Sequence, residues 1–158
     1  MAEDAGNRGL FCDLAGTLVA MDETRQLPVD AQGNIALRLL PGVKEKLAPM
    51  HDWLIFVVTN QAGIKRGRYR AEKIEAAIAE LDRRLDGILT AWEICPHDDA
   101  DGCECRKPKG GMVKSLAWTH GVDLAGSIMV GDQASDAAAA HAAGVGQFIF
   151  AKDFFGAG

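Results

Sequence analysis

"FCDLAGTLVAMD", residues 11–22, decides how this chain is read. An apolar stretch runs into Asp13, and a Gly16-Thr17 turn follows at once. That is how an α/β fold presents a carboxylate at the end of a central strand, where open parallel sheets hold their ligands. Two residues on, where a second carboxylate would complete a nucleophile and proton-donor pair, stands Ala15.

Further apolar, β-rich runs recur along the chain: "GLFC" (9–12), "WLIFVV" (53–58), "AWEIC" (91–95), "SIMVG" (127–131) and "QFIFA" (147–151). Helical patterns lie between most of them. One starts near Val43; "RAEKIEAAIAELDRRLDGIL" sets Ile74, Ile78, Leu81 and Leu85 on one face. "GMVKSLAWTHG" and "ASDAAAAHAAG" each close on a glycine, Gly121 and Gly144. Strands alternating with helices predict a parallel sheet covered on both faces, and strands apolar nearly throughout agree with that. No internal repeat or low-complexity linker breaks the 158 residues, so one domain spanning 1–158 is expected.

The composition narrows the function. Seventeen basic and 22 acidic residues give a net charge of -5, which disfavours binding driven by a nucleic-acid backbone. No apolar run approaches membrane-spanning length, and "MAEDAGNRG" at the N-terminus carries no signal core, so a cytoplasmic protein is expected. Obvious apolar surface stretches are lacking, which favours a monomer.

Polar residues cluster at the predicted strand ends. Asp13 alone serves equally well as a cap for its turn. With backbone amides turned inward behind it, it is also a carboxylate able to attack phosphorus. Thr59 offers a hydroxyl to a phosphoryl oxygen and Asn60 an amide to a substrate, in "VVTNQAGIKRG" (57–67). Lys65, Arg66, Arg68 and Arg70 suit an anion, or form a solvated basic face. Asp132, in "MVGDQASD" (129–136), would join Asp13 in an oxygen-rich Mg²⁺ site, with Asp136 supporting it or capping the next helix.

"CPHDDADGCECRKP" (95–108) is the most specific stretch. Cys95, His97, Cys103 and Cys105 supply three thiolates and an imidazole, the donor set of a closed structural Zn²⁺ site. Zinc there would fix Arg106 and Lys107, the latter a point charge for a transferring phosphoryl group and the former a forked donor to phosphate or sugar hydroxyls. Cys12, inside the first strand, is expected to be a buried small hydrophobe, and His51, His120 and His141 helix residues without metal-like partners.

The order D-x-x-G-T, T-N-Q-x-G-I, lysine, G-D-x-x-x-D resembles the haloacid dehalogenase (HAD) superfamily, from about Gly9 to Ala151. With the zinc loop and its trailing R-K-P, the chain is similar to the small capless branch, subfamily IIIA. That branch holds phosphatases of sugar bisphosphates and of histidinol phosphate. The resemblance implies a Rossmann-like three-layer α/β/α sandwich and a Mg²⁺-dependent phosphomonoester hydrolase acting through an aspartyl-phosphate on a small phosphorylated metabolite. It makes Asp13 the nucleophile, Thr59 the phosphoryl ligand, Asn60 a substrate-binding group and Lys107 the charge stabiliser; Arg106 and Lys65, read from the residues above, are further substrate-binding candidates. Mg²⁺ would be held by Asp13, Asp132 and the backbone carbonyl of Ala15. Family phosphatases carry an aspartate at position 15, which protonates the leaving group. Alanine keeps the carbonyl but moves no proton, so the expected enzyme is impaired; the alternative is a catalytically inactive phosphate-ester binding relative.

Overall fold

The computed structural model describes residues 6–156. Five parallel strands form one sheet: β1 (Gly9–Cys12), β2 (Leu54–Asn60), β3 (Leu89–Cys95), β4 (Ile128–Gly131) and β5 (Gln147–Phe150), in the order β3-β2-β1-β4-β5. Five helices accompany them: α1 (Val43–Leu47), α2 (Ala71–Arg84), α3 (Gly111–His120), α4 (Ala134–Ala143) and α5 (Ala151–Phe155).

The period of two along each strand sorts the core into two halves. Leu10, Cys12, Ile55, Val57 and Val130 face one side, with Val43 and Leu47 of α1, Ile74, Ile78 and Leu81 of α2, and Phe155 of α5. Phe11, Phe56, Val58 and Met129 face the other, against Met112, Val113 and Leu116 of α3 and Ala139, Ala140 and Ala143 of α4. Register pairs Phe11 with Phe56, and their rings stack at 4.9 Å between centroids. β1, central and fully buried, thus has both faces covered. The expected three-layer architecture is observed.

The helix signals read from the sequence coincide with α1–α4, and Gly121 and Gly144 close α3 and α4 in the left-handed conformation. Several details differ, among them the following. β2 runs on through Thr59 and Asn60, because pairing with Ile94 and Cys95 of β3 continues that far. Ala151 opens a helix, α5, instead of ending β5. His51 lies in a turn after α1, not on a helix. Among the described residues no helix is long and apolar enough to cross a membrane.

Residues between β1 and α1 form a long irregular excursion, tied together by isolated bridges such as Val19–Leu39 and Val29–Ile35. It arches over the carboxyl edge of the sheet and contributes one wall of the cleft there.

Candidate active site

A cleft of about 270 Å³ opens at that edge, lined by Asp13, Ala15, Thr59, Asn60, Lys107, Asp132 and Asp136 among others. Four elements meet there: the end of β1, the end of β2, the loop after β3 and the start of α4.

Lys107 is the electrostatic centre. Its Nζ, in a residue only 5 % exposed, donates to Asp13 Oδ1 at 2.8 Å, to Asp136 Oδ1 at 2.6 Å and to the Val58 carbonyl at 3.1 Å. All three hydrogens of the ammonium are thereby used. Burial alone would lower the pKa of Lys107, but the charges of Asp13 and Asp136 outweigh it and hold the ammonium above the ordinary lysine value. Burial pushes the Asp13 carboxyl up, opposed only in part by Lys107. Asp136 is likewise raised, by burial first and by the Asp13 charge next.

Of the two roles the sequence left open for Asp136, the helix cap is formed, and the residue also holds Lys107. While Oδ1 holds Lys107, Oδ2 accepts from the backbone N–H of Asp132 and of Gln133, both at 3.1 Å, closing the first turn of α4. Asp13, Asp132 and Asp136 each offer an oxygen to one spot, the three lying within 4.8 Å of one another. Asp132 Oδ1 is buried with no hydrogen-bond partner among the described residues. A buried, unpartnered carboxylate oxygen is costly unless a cation completes it, and an all-oxygen donor set suits Mg²⁺. Gly16, at φ 81°, lets the chain pass close to Asp132; a Cβ there would collide with that carboxylate.

Asn60 reaches the cleft wall, but both ends of its amide are engaged by the Lys107 backbone. Its Oδ1 accepts from Lys107 N at 2.9 Å and its Nδ2 donates to Lys107 O at 3.2 Å. The amide therefore clamps the loop that carries Lys107 against the end of β2. Thr59 is 1 % exposed and accepts from Gln61 Nε2 at 2.8 Å.

The same loop brings Cys95, His97, Cys103 and Cys105 together, with ligand atoms within 4.8 Å of one another. Individual separations are 3.4 Å for Cys95–His97, 3.3 Å for His97–Cys105 and 3.6 Å for Cys95–Cys103. No disulfide joins these cysteines. A tetrahedron with Zn–S and Zn–N bonds of about 2.3 and 2.0 Å has edges of this order. The Cys95 and Cys105 sulfurs, at 2.8 Å, would have to spread to complete it, and as a donor set the four suit Zn²⁺. Arg106 closes the loop on itself: Nε donates to Asp99 at 2.7 Å and Nη1 to the His97 carbonyl at 3.1 Å. Cys12 is buried inside β1, where burial pushes its thiol up.

Comparisons with known proteins agree with this geometry. Residues 104–153 match a family model described as HAD-hydrolase-like. The chain is 36 % identical over 159 aligned residues to the D-glycero-beta-D-manno-heptose-1,7-bisphosphate 7-phosphatase of Salmonella typhi, covering 90 % of this chain and 79 % of that one. The chain belongs to the HAD family. A protein of the same name from Pseudomonas aeruginosa is 43 % identical over 108 residues, 65 % of this chain, and the match spans only 61 % of that relative's length. A crystal structure of the D,D-heptose 1,7-bisphosphate phosphatase of B. bronchiseptica, complexed with magnesium and phosphate, superimposes with a TM-score of 0.77 at 30 % identity. That match covers 89 % of this chain and 78 % of the other.

Of the residues singled out in this HAD chain, Asp13, Ala15, Thr59, Asn60, Arg106, Lys107 and Asp132 all line the cleft. Lys65 does not. Its ammonium pairs instead with Asp101 and, at 3.6 Å, with Asp98, bracing the cysteine loop from outside. The sequence suggests Lys65 as a substrate ligand; here two acidic residues of the neighbouring loop compete for it. Arg66, next in sequence, faces the cleft.

Arg25 was not foreseen. It lines the cleft, 3.7 Å from Asp132, with its guanidinium against the Gln133 side-chain amide. Its backbone is left-handed, at φ 65°. Asp22 builds the turn that holds it there, accepting from Thr24 N and Gln26 N at 2.8 and 3.0 Å, while Arg68 pins Asp22 and the Leu27 carbonyl. The run D-E-T-R-Q was the available signal, an Asx turn ahead of an arginine.

Proposed function

We propose that this HAD chain is a Mg²⁺-dependent phosphomonoester hydrolase scaffold acting on a small phosphorylated sugar of the bisphosphate type, slowed by alanine at position 15. The observation that carries this reading is the buried junction of Asp13, Lys107 and Asp136 beside the unpartnered oxygen of Asp132. The names of the relatives support the sugar bisphosphate, and Arg25, Arg66 and Arg106 at the cleft give a second anionic group cationic partners.

In this reading an Asp13 oxygen attacks phosphorus, a P–O bond to Asp13 forms, and the bond to the leaving oxygen breaks. Lys107 and the Thr59 hydroxyl offset the charge on the phosphoryl oxygens. Mg²⁺ held by Asp13, Asp132 and the carbonyl of Ala15 would supply further charge neutralisation and alignment. The leaving oxygen takes its proton from water, since Ala15 has none to give. Water then attacks phosphorus and releases the Asp13 carboxylate and phosphate, again without a base at position 15. Both halves are slowed, but the first is slowed less when the leaving group is acidic, because such a group needs no proton to depart, while the second is the same for every substrate.

An aryl phosphate should therefore leave phosphate on Asp13. Intact-mass spectrometry after mixing with Mg²⁺ and an aryl phosphate is expected to show one phosphoryl adduct, absent in Asp13→Asn. No adduct together with no phosphate release would defeat the reading. The absent proton carrier also favours a second reading, a phosphate-ester binding protein without turnover. That reading predicts Mg²⁺-dependent binding of such esters with neither adduct nor release.

The cysteine loop is proposed to hold structural Zn²⁺ through Cys95, His97, Cys103 and Cys105. Metal analysis of protein purified without chelator should give about one zinc per chain. Stripping it is expected to lower the melting temperature and to weaken phosphate binding together, because the loop carries Lys107. Loss of zinc with unchanged phosphate binding would separate the loop from the site.

A further inference from the structure

We propose that Tyr69 and Gln61 are positioning residues that set the direction of the Thr59 hydroxyl, so that its hydrogen points into the cleft at a phosphoryl oxygen. This rests on the reading of Thr59 as a phosphoryl ligand. Tyr69 Oη donates to Gln61 Oε1, and Gln61 Nε2 donates to Thr59 Oγ1 at 2.8 Å. A carboxamide has one accepting end and one donating end. Once the phenol occupies the accepting end, the donating end must face Thr59. The Thr59 oxygen is then an acceptor toward Gln61, and its own hydrogen is left for the cleft.

Reversing the amide would turn Oε1 toward Thr59, where it would take the hydroxyl hydrogen away from a ligand. The reversed amide also leaves the phenol hydrogen without a protein acceptor, since Gln61 is the only hydrogen-bond partner of Tyr69 Oη among the described residues. Leaving a largely buried donor without a partner is unfavourable, so the reversed amide is disfavoured. Each member of the chain is held independently. Thr59 sits in β2, paired with Ile94. Gln61 N donates to the Cys95 carbonyl at 2.7 Å. The Tyr69 ring lies so close to Gly63 that a Cβ there would stand 3.2 Å from its Oη. All three side chains are nearly buried, at 1 %, 6 % and 7 % exposure. Burial pushes the phenol up to about 12, which keeps it a donor at neutral pH.

The test is a double-mutant cycle read by calorimetric binding of inorganic phosphate in saturating Mg²⁺, which needs no turnover. Tyr69→Phe is expected to weaken phosphate by about 3- to 10-fold, the range of one hydrogen bond whose orientation is no longer enforced. In a Thr59→Val background the same change should do nothing, and in a Thr59→Ser background it should keep its full effect. Gln61→Glu, whose carboxylate accepts from both neighbours, should weaken phosphate more than Tyr69→Phe and should likewise lose part of its effect without the Thr59 hydroxyl. If Tyr69→Phe costs the same with and without that hydroxyl, or costs nothing, the relay is wrong while the phosphate site stands. If the unaltered protein binds no phosphate at all, the phosphatase reading falls and takes the relay with it. Should Tyr69→Phe fail to fold, the Gln61→Glu arm decides by the same comparison.

Discussion

Ala15→Asp is expected to raise Mg²⁺-dependent phosphate release by about 10²- to 10⁴-fold, the usual contribution of a positioned general acid and base. The gain should depend on the leaving group. A sugar alkoxide needs a proton as the P–O bond breaks, so it should gain most. An aryl oxide carries its own charge and should gain least in the first half-reaction. The adduct on Asp13 should disappear from the steady state, because a carboxylate at position 15 speeds its hydrolysis. Position 15 lines the cleft beside Asp13, and it is partly exposed, so the longer side chain has solvent-filled space to enter. Phosphate release over a panel of heptose, histidinol and aryl phosphates is the measurement. An unchanged rate across that panel would mean that the cleft is no longer built for turnover, and the binding reading would replace it.

The second large effect is expected at Lys107. Lys107→Met removes the one cation between Asp13 and Asp136 and leaves two buried carboxylates facing each other. Breaking a buried ion pair from one side costs about 3–5 kcal/mol. Urea unfolding should show most of that loss. Part should return in Lys107→Met with Asp136→Asn, which removes one orphaned charge while an amide oxygen still serves the N–H groups of Asp132 and Gln133. In an Ala15→Asp background the same Lys107 change should cut turnover by about 10²- to 10³-fold, as loss of a transition-state charge partner does. Full stability of Lys107→Met would show that Asp13 and Asp136 are satisfied by other groups and that the ammonium is not the centre of the site.

Much of this was legible because the informative residues sit where backbone geometry is predictable. Asp13 and Asp132 follow strands whose apolar runs mark them, and the carboxyl edge of a parallel sheet brings such positions together. The cysteine loop was legible for another reason: four soft ligands at short spacings constrain each other without reference to the rest of the fold. Lys65 was harder to place, because one basic residue in a basic run looks like the next. Only the tertiary path of the cysteine loop shows that Asp98 and Asp101 compete for it. Arg25 was invisible because residues between β1 and α1 have no regular period, and what positions it is an Asx turn pinned from a distance by Arg68. Asn60 shows a third limit. Its type and position pointed to the cleft, but not that its amide would be used on the Lys107 backbone.

The crowding of carboxylates around a single ammonium has a thermodynamic consequence. Asp13, Asp132 and Asp136 against Lys107 leave the cleft floor with a surplus of two negative charges when all are ionised. Burial raises the carboxyls of Asp13 and Asp136, and the neighbouring carboxylates add to that rise. One divalent cation restores electroneutrality; without it, an incoming phosphate dianion meets a floor of its own sign. In the phosphatase reading proposed above, cation and phosphate would then bind with positive linkage, each raising the other's affinity by the same factor. The floor alone would release phosphate whenever magnesium is scarce, and the arginines at the rim set how much of the anion's affinity survives that loss.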